Sequence, residues 1–306
     1  MRIAMGKMMR VATLAMLCAG LFATPALAQG DGGARDAMQK YVKEKGQAVV
    51  TLELVLDIKA AYSGQESQSE KKVNALGTVV EENGLVVTAL STVDPGQFYG
   101  RMSGKDDNYV TRLKSLKYIL EDNTEIEAAV VLRDPDLDLV FLRPITKPEK
   151  KFTFIDLKDA KKPEIMDRAF TIARTGRIAR RTVLGMSGEI QGIVKGAKPF
   201  YIPSSELVSG RAGTPILSVD GKLFGITAVY VFPGGNKGAG DEDEAATYAI
   251  IPSADVDAVA DQAKDAPPEA TPTPGADDDK KADDAKDGDM KSDAPAEAEM
   301  PATDKK

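Results

Sequence analysis

The stretch 77-GTVVEENGLVVTALSTV-93 decides the fold of this chain. Two short apolar runs, 76–81 and 85–90, are joined across Asn83 and Gly84. An Asn-Gly pair between apolar runs favours a β-hairpin, because both residues readily adopt the positive φ that a two-residue turn requires. The stretch therefore predicts two antiparallel strands.

The same pattern continues on both sides of this hairpin. Short apolar runs predict further strands at 48–58, 117–120, 126–132, 139–142, 169–173, 181–184, 190–194, 215–219, 223–231 and 247–251. Only 35–45 and 253–264 are typical of helices, and the polar segment 95–115 is interpreted as an irregular surface insertion. Many short strands with frequent turns predict an all-β sandwich or barrel.

The N-terminus has the features of a secretory signal peptide cut after Ala28. Basic residues at positions 2, 7 and 10 precede an apolar run, 11–22, that is short for a membrane span. Ala26-Leu27-Ala28 supplies a small-x-small cleavage site. We therefore expect export, to the periplasm or as a secreted protein, with no transmembrane segment after cleavage. An uncleaved N-terminal anchor is the alternative.

The C-terminal segment 265–306 differs from the rest of the chain. It consists mainly of Ala, Pro, Asp, Glu and Lys, with thirteen acidic residues against six lysines. Such a segment cannot bury enough apolar surface to offset the entropy of ordering, so we predict a disordered, solubilising tail. An acidic docking segment is the alternative. Because the acidity of the chain lies in this tail and the body is near neutral, nucleic-acid binding is not expected.

The residue types exclude the common metal centres. The chain has no histidine, and its only cysteine, Cys18, lies in the predicted signal peptide, so no zinc or copper site is expected. Asp134, Asp136 and Asp138 have the spacing that opens a calcium loop. However, Leu139 stands where the loop needs glycine, and no acid follows at loop position twelve. We predict no metal and no cofactor.

Four segments, in order, resemble the trypsin-like serine protease family, in particular its HtrA/Deg branch. Residues 77–94 resemble the hairpin that leads into the family's Thr-x-x-His-Val-Val box, and 134-DPDLDLVFL-142 resembles its Asp-Pro-x-x-Asp-Leu-Ala-Val-Leu box. Residues 210-GRAGTPILSVDGKLFGI-226 resemble Gly-Asn-Ser-Gly-Gly-Pro-Leu with the hairpin after it, and 248-YAIIPS-253 resembles Phe-Ala-Ile-Pro-Ser. No segment with the features of a PDZ domain follows.

The resemblance implies a fold of two packed, six-stranded antiparallel β-barrels with a cleft between them. The expected organisation is a signal peptide 1–28, a helical leader 29–46, a double-barrel domain 47–264 and a tail 265–306. Within the domain, the barrels are expected at about 47–150 and 151–253, followed by a short helix at 253–264.

The resemblance also implies a degenerate catalytic triad. By position, Ser91 takes the place of the histidine and Ala212 that of the serine, while Asp138 keeps the aspartate. Because the triad needs an imidazole to move the serine proton, we predict a non-catalytic domain with Asp138 as a structural carboxylate. A serine endopeptidase with a rebuilt site, using Ser209 and a lysine base, and a structural envelope protein are the alternatives.

The same loop predicts a peptide-binding cleft. The backbone N–H groups near Gly210 and Ala212 can still form an oxyanion hole, with Gly213 and Thr214 in the same loop. A cleft without a nucleophile can bind an extended protein or peptide segment through main-chain hydrogen bonds to a strand edge. A cleft filled by side chains, such as the β-branched Thr214 in place of a glycine, is the alternative.

A run of arginines predicts a second binding feature. Arg174, Arg177, Arg180 and Arg181 lie close together between two predicted strands of the second barrel. Four guanidinium groups can hold an acidic protein partner, an anionic glycan or lipid, or the acidic tail of this chain. A solvated hairpin tip is the alternative.

Overall fold

The structure is a computed structural model that describes residues 30–62, 65–103, 109–208, 211–231 and 246–269. The predicted signal peptide, Ser209, Gly210 and nearly all of the predicted tail lie outside the described residues. The prediction of an all-β fold with two six-stranded antiparallel barrels is confirmed.

Six strands close the first barrel in the order β1-β2-β3-β6-β5-β4. They are β1 (Val49–Tyr62), β2 (Gln65–Val79), β3 (Val86–Ala89), β4 (Tyr109–Ile119), β5 (Glu125–Asp134) and β6 (Leu139–Pro144). Alternate residues of β1, among them Leu52, Leu54 and Leu56, point into the barrel, as the two-residue period of a strand requires. The outer halves of β1 and β2 form a long polar hairpin arm.

The second barrel closes in the order β7-β8-β9-β12-β11-β10. Its strands are β7 (Arg168–Arg174), β8 (Val183–Val194), β9 (Phe200–Pro203), β10 (Pro215–Ser218), β11 (Leu223–Val231) and β12 (Ala246–Pro252). Ile190, Ile216 and Phe224 fill its interior. The second barrel therefore has its own small apolar centre.

A third apolar cluster lies between the barrels and explains the unbroken apolar run in the opening hairpin. All four residues of β3 are buried. Val86 faces the interior of the first barrel, whereas Val87 packs in the layer that also contains Phe170 and Ile226 of the second barrel. A strand that is covered on both faces has no polar alternation, because neither face contacts water.

Five helices accompany the barrels in the described part of the chain. They are α1 (Gly30–Lys45), α2 (Leu90–Val93), α3 (Pro95–Ser103), α4 (Ser205–Val208) and α5 (Ser253–Ala263). The α5 helix buries Val256 in the layer between the barrels, and the Ser253 hydroxyl donates to the Leu157 carbonyl at 2.5 Å. None of the helices in these ranges is long and apolar enough to cross a membrane.

The structure corrects three details of the sequence analysis. The segment 95–115 is not irregular, since it contains α3 and the first half of β4. Residues 181–194 do not form two strands: β8 is one strand because Val183–Glu189 pair with β7 and Ile190–Val194 pair with β9. Gly188 lets the Ser204 hydroxyl approach its backbone closely. β9 was not predicted, because its four residues follow Pro199 and end at Pro203, and prolines are typical of loops.

The first residues of the predicted tail are placed in the structure. The Glu269 N–H donates to the Val130 carbonyl at 2.7 Å, and its carboxylate pairs with Arg133 at 3.0 Å. Arg143 of β6 donates to the carbonyls of Ala263 and Lys264. The chain therefore returns to the first barrel after α5.

Candidate functional site

Two of the three triad positions lie side by side because β3 and β6 are neighbours. Ala89 at the end of β3 pairs with Leu139 at the start of β6. Ser91 follows β3 in the first turn of α2, and Asp138 precedes β6 in a turn with φ of 55°. Asp tolerates this left-handed conformation better than most residues do. The strand pairing therefore brings the Ser91 and Asp138 side chains together.

Ser91 satisfies the carboxylate that an imidazole would otherwise contact. Its backbone N–H donates to Asp138 Oδ1 at 2.6 Å, and its hydroxyl donates to Asp138 Oδ2 at 2.9 Å. Asp138 is buried, with 7% of its surface exposed. The pair is a closed hydrogen-bonded unit rather than a proton relay, since neither group is a base of suitable strength for a serine hydroxyl at neutral pH.

Asp138 also links the two barrels. The N–H of Val229, in β11 of the second barrel, donates to Asp138 Oδ2 at 2.8 Å. Burial raises the pKa of Asp138 from its ordinary value of 3.8 to about 6, and the hydrogen bonds from Val229 and Ser91 act in the opposite direction. The three donors therefore offset only part of the cost of removing this carboxylate from water.

The third triad position, Ala212, lies in the loop between α4 and β10 and carries only a methyl group. The N–H of Gly213 donates to the Thr227 carbonyl at 2.7 Å, whereas no described residue accepts from the Ala212 N–H. Ala212 therefore presents a free backbone donor but no nucleophile. Gly210, which the sequence analysis assigns to the same loop, lies outside the described residues.

Gly213 fixes this loop against the first barrel. Its φ is +84°, and a Cβ at this position would lie 2.4 Å from Thr88 Oγ1 and 2.5 Å from the Leu76 carbonyl oxygen. The Thr78 hydroxyl donates to the Gly213 carbonyl at 2.8 Å. Only glycine meets both the conformational and the steric requirement at this contact between barrels.

Thr214 does not fill the cleft. It is completely buried, and its hydroxyl donates to the Arg211 carbonyl at 3.0 Å. The Thr214 N–H donates to Thr227 Oγ1 at 2.9 Å, and the Thr227 hydroxyl lies within 2.9 Å of the same Arg211 carbonyl. The two threonines therefore stabilise the loop from behind and leave the side of Ala212 that faces the cleft open.

A cavity of about 360 Å³ lies beside Ala212, between the barrels. Its walls combine residues of both barrels and are rich in arginine. The lining residues are Thr51, Asn74, Ala75, Leu76, Thr92, Arg174, Thr175, Gly176, Arg177, Arg181, Arg211 and Ala212. This cavity is where the structure brings together the predicted oxyanion-hole loop and most of the predicted arginine cluster.

The structure places the four predicted arginines differently from one another. Arg174 is buried, and its guanidinium donates to the carbonyls of Val49, Gly46 and Arg181 and to the Gln47 side chain. Burial lowers the pKa of Arg174, while Glu121, 3.6 Å away, opposes the shift. Arg174 therefore ties the second barrel to the start of β1 rather than projecting into solvent.

The other three arginines belong to the turn between β7 and β8. Arg177 and Arg181 line the cavity, and Arg181 also donates to the Asn123 side chain at 2.6 Å. Arg180 is exposed and does not line the cavity. Arg180 and Arg181 both have positive φ, 56° and 52°, so the turn reverses sharply between Arg177 and Arg181.

Eight of the twelve lining residues were not predicted from the sequence, and Arg211 and Thr51 are the two of them with an unpaired buried side-chain atom. The Arg211 Nη1 group donates to the Arg174 carbonyl at 2.8 Å, which holds its guanidinium at the cavity wall. The sequence does mark Arg211 as unusual, because it replaces the asparagine of the Gly-Asn-Ser-Gly-Gly-Pro box that residues 210–215 resemble. Thr51 gave no signal, since it lies in β1 about 160 residues away along the chain.

A family model and a solved structure are similar to parts of this chain. The family described as "Trypsin-like peptidase domain" matches residues 75–226, which include all three triad positions. An apo structure of the MamO protease domain from Magnetospirillum magneticum aligns with 71% of this chain and 97% of that domain. Its identity is 17% and its TM-score 0.43.

Curated relatives carry the name "Probable periplasmic serine endoprotease DegP-like". The protein from Brucella suis biovar 1 is 28% identical over 173 residues, which cover 53% of this chain and 29% of the relative. The protein from Bartonella henselae is 29% identical over 136 residues, which cover 44% of this chain and 27% of the relative. The chain thus matches less than a third of the length of these relatives. It has the fold of a trypsin-like peptidase domain of the HtrA/Deg type.

Proposed function

We propose that this chain is an exported, non-catalytic trypsin-like domain that binds a protein or peptide segment in the cleft between its barrels. The proposal rests mainly on the residues found at the three triad positions. Ser91 and Asp138 bond to each other, and Ala212, at the third triad position, has no hydroxyl and borders the cavity.

The absence of an imidazole is the main argument against catalysis. The chain contains no histidine, so no imidazole can take up the proton of a serine and return it to a leaving group. Asp138 keeps its place but accepts hydrogen bonds from Ser91 and Val229 instead. An oxyanion hole alone leaves only a small residual rate enhancement over water, far below that of a working protease.

A free strand edge supports peptide binding. In the described part of the chain, β2 pairs with β3 only through Thr78 and Val79, whereas β1 pairs with all of β2. Asn74 and Ala75 therefore have no strand partner on one edge, whereas the Leu76 carbonyl accepts from the Thr88 hydroxyl at 2.7 Å. All three residues line the cavity. An extended peptide can add to such an edge through its main chain, while one side chain enters the cavity.

Export is supported by the predicted signal peptide and by the periplasmic relatives. Mass spectrometry of the protein recovered from the periplasm or medium tests it directly. We expect the mature chain to begin at Gln29. A product that begins at Met1 and stays with the membrane would instead favour the uncleaved anchor.

The first test of the proposal is proteolysis by the purified protein. We expect no cleavage of unfolded casein and no labelling by a fluorophosphonate probe, and the same result for an Ala212→Thr variant. Cleavage that persists unchanged in both Ala212→Thr and Ser209→Ala would identify a contaminating protease. Cleavage and labelling that disappear only in a Ser209→Ala variant would establish a rebuilt endopeptidase and refute the proposal.

The second test is binding of fluorescently labelled unfolded casein, measured by anisotropy. Ala212→Trp places an indole in the cavity and should weaken binding about tenfold or more, equivalent to about 1.4 kcal/mol. Ile145→Trp is the matched control, because Ile145 is 58% exposed and does not line the cavity. Equal affinity of the two variants would locate binding elsewhere.

A further inference from the structure

The cavity beside Ala212 has a strong positive charge. Arg177, Arg181 and Arg211 line it together with Arg174. Among the described residues, Glu121 lies 3.6 Å from Arg174 and is itself half exposed, and Glu125 interacts with Arg181 but already pairs with Lys117 at 2.9 Å. The positive charge therefore exceeds what the neighbouring carboxylates neutralise. Such a concentration of guanidinium groups is costly unless an anion is bound.

Two buried polar atoms at this cavity have no hydrogen-bond partner. They are Thr51 Oγ1 and Arg211 Nε, and with Arg143 Nε they form the whole set of such side-chain atoms in the described ranges. Both residues line the cavity, and Thr51 is only 6% exposed. Buried polar groups are nearly always paired, so two unpaired donors at one cavity indicate a missing acceptor.

The geometry of Arg211 favours a planar acceptor with two oxygens. Its Nη1 group is occupied by the Arg174 carbonyl at 2.8 Å. The Nε–H group donates to no acceptor among the described residues, and Nη2 lies on the same edge of the guanidinium. A carboxylate matches two parallel N–H donors in this arrangement, and the Thr51 hydroxyl supplies a third donor from the opposite barrel.

We propose that this cavity is a carboxylate subsite that selects an extended peptide with an Asp or Glu side chain. The inference rests on the proposed function, because the edge of Asn74 and Ala75, which has no strand partner there, holds the main chain of the same peptide next to the cavity. Arg211 binds the carboxylate directly, Thr51 donates to it, and Arg177 and Arg181 add positive charge. Arg180, which lies outside the cavity, takes no part.

The test compares two labelled peptides with capped ends, one in which Thr alternates with Glu and one in which Gln replaces Glu. We expect the Glu peptide to bind about tenfold more tightly or better, and more weakly as salt is raised. Arg211→Met should lower the affinity for the Glu peptide about tenfold and leave that for the Gln peptide nearly unchanged. Arg180→Met is the matched control and should change neither affinity more than about twofold.

Thr51→Val separates binding from folding. Because the Thr51 hydroxyl has no partner among the residues that the structure describes, its replacement by a methyl group should leave the Tm equal or higher. Affinity for the Glu peptide should nevertheless fall about threefold or more. A loss of Tm without loss of affinity would mean that the hydroxyl has a structural role and would overturn its place in the subsite.

The outcomes distinguish this inference from the proposed function. Equal binding of the Glu and Gln peptides leaves the peptide cleft intact and overturns the carboxylate subsite, and so does an equal effect of Arg180→Met and Arg211→Met. Binding of neither peptide overturns both proposals. Inorganic phosphate and acetate can also be compared as competitors of the Glu peptide. If phosphate displaces the peptide more strongly, and Arg211→Met removes this difference, the cavity is a free-anion site and the inference is overturned.

Discussion

The pH dependence of stability should follow the ionisation of Asp138. Two effects compete at this carboxyl group: burial favours the protonated form, and three hydrogen bonds from Ser91 and Val229 favour the ionised form. Burial is larger, because the pKa of Asp138 rises from 3.8 to about 6. Between these two pH values, Asp138 is therefore protonated in the folded protein and ionised in the unfolded chain.

The sign and size of the effect follow from linkage. Since the folded-state pKa is raised, the stability that Asp138 contributes is fully present below about pH 4 and is lost as pH rises through 6. A shift of about two pKa units corresponds to about 3 kcal/mol in all, of which about 2 kcal/mol falls between about pH 4.5 and 7. Stability should therefore fall across this range.

Asp138→Asn isolates this contribution because it removes the titrating group and keeps its shape. The amide nitrogen cannot accept a hydrogen bond, so either the Ser91 N–H or the Val229 N–H loses its acceptor, at a cost of about 1–3 kcal/mol. Urea unfolding followed by circular dichroism gives both free energies of unfolding. The difference in the free energy of unfolding between wild type and Asp138→Asn should decrease by about 2 kcal/mol from about pH 4.5 to 7.

Other carboxyl groups titrate alike in both proteins and cancel in this difference. A gap that stays constant would refute the raised pKa. A gap that widens with pH would show that the three hydrogen bonds outweigh burial, so that the folded-state pKa lies below 3.8. In either case, affinity of the folded variant for a bound peptide should be nearly unchanged, because Asp138 makes no contact with the cavity.

Three further substitutions test the contacts around the cleft. Gly213→Ala should lower the free energy of unfolding by about 2–4 kcal/mol, as measured by urea titration, because its Cβ meets the first barrel. Gly176→Ala is its control, since nothing lies within 4 Å of a Cβ there, and an equal loss would contradict the steric argument. Arg174→Met removes the donor to three carbonyls and should lower the free energy of unfolding by about 3 kcal/mol in the same assay. Arg174→Lys should not restore it, because lysine lacks the planar set of donors. An unchanged Tm would show that the contact with the start of β1 is unimportant. Ser91→Ala removes a hydrogen bond that lowers the pKa of Asp138, so the pH at which stability falls should move upward, and a downward move would contradict this role.

The sequence predicted the fold because turn chemistry and apolar runs act locally. Asn83-Gly84 and Asp220-Gly221 lie in the turns where they were expected, and both glycines have positive φ. The runs at 85–90 and 223–231 became strands because their apolar residues are buried. The segments that escaped prediction depend on distant neighbours: polar residues of β2 pair with β1, and Gly188 accommodates Ser204.

The candidate site was only partly predictable for a similar reason. Family resemblance located Ser91, Asp138 and Ala212 because it preserves order along the chain. It could not show that Arg174 is buried whereas Arg177 is exposed at the same cavity, because burial depends on how the two barrels meet. Nor could spacing in the chain place Thr51 opposite Arg211.

The cross-barrel hydrogen bonds have a consequence for the rate at which a ligand binds. Thr78 donates to the Gly213 carbonyl, and Val229 donates to Asp138, so both walls of the cleft are fixed before any ligand arrives. A preformed cleft requires no slow opening step, so the conformational entropy that is lost on binding is mainly that of the ligand. Association should then follow a single exponential, with a rate constant that increases linearly with peptide concentration.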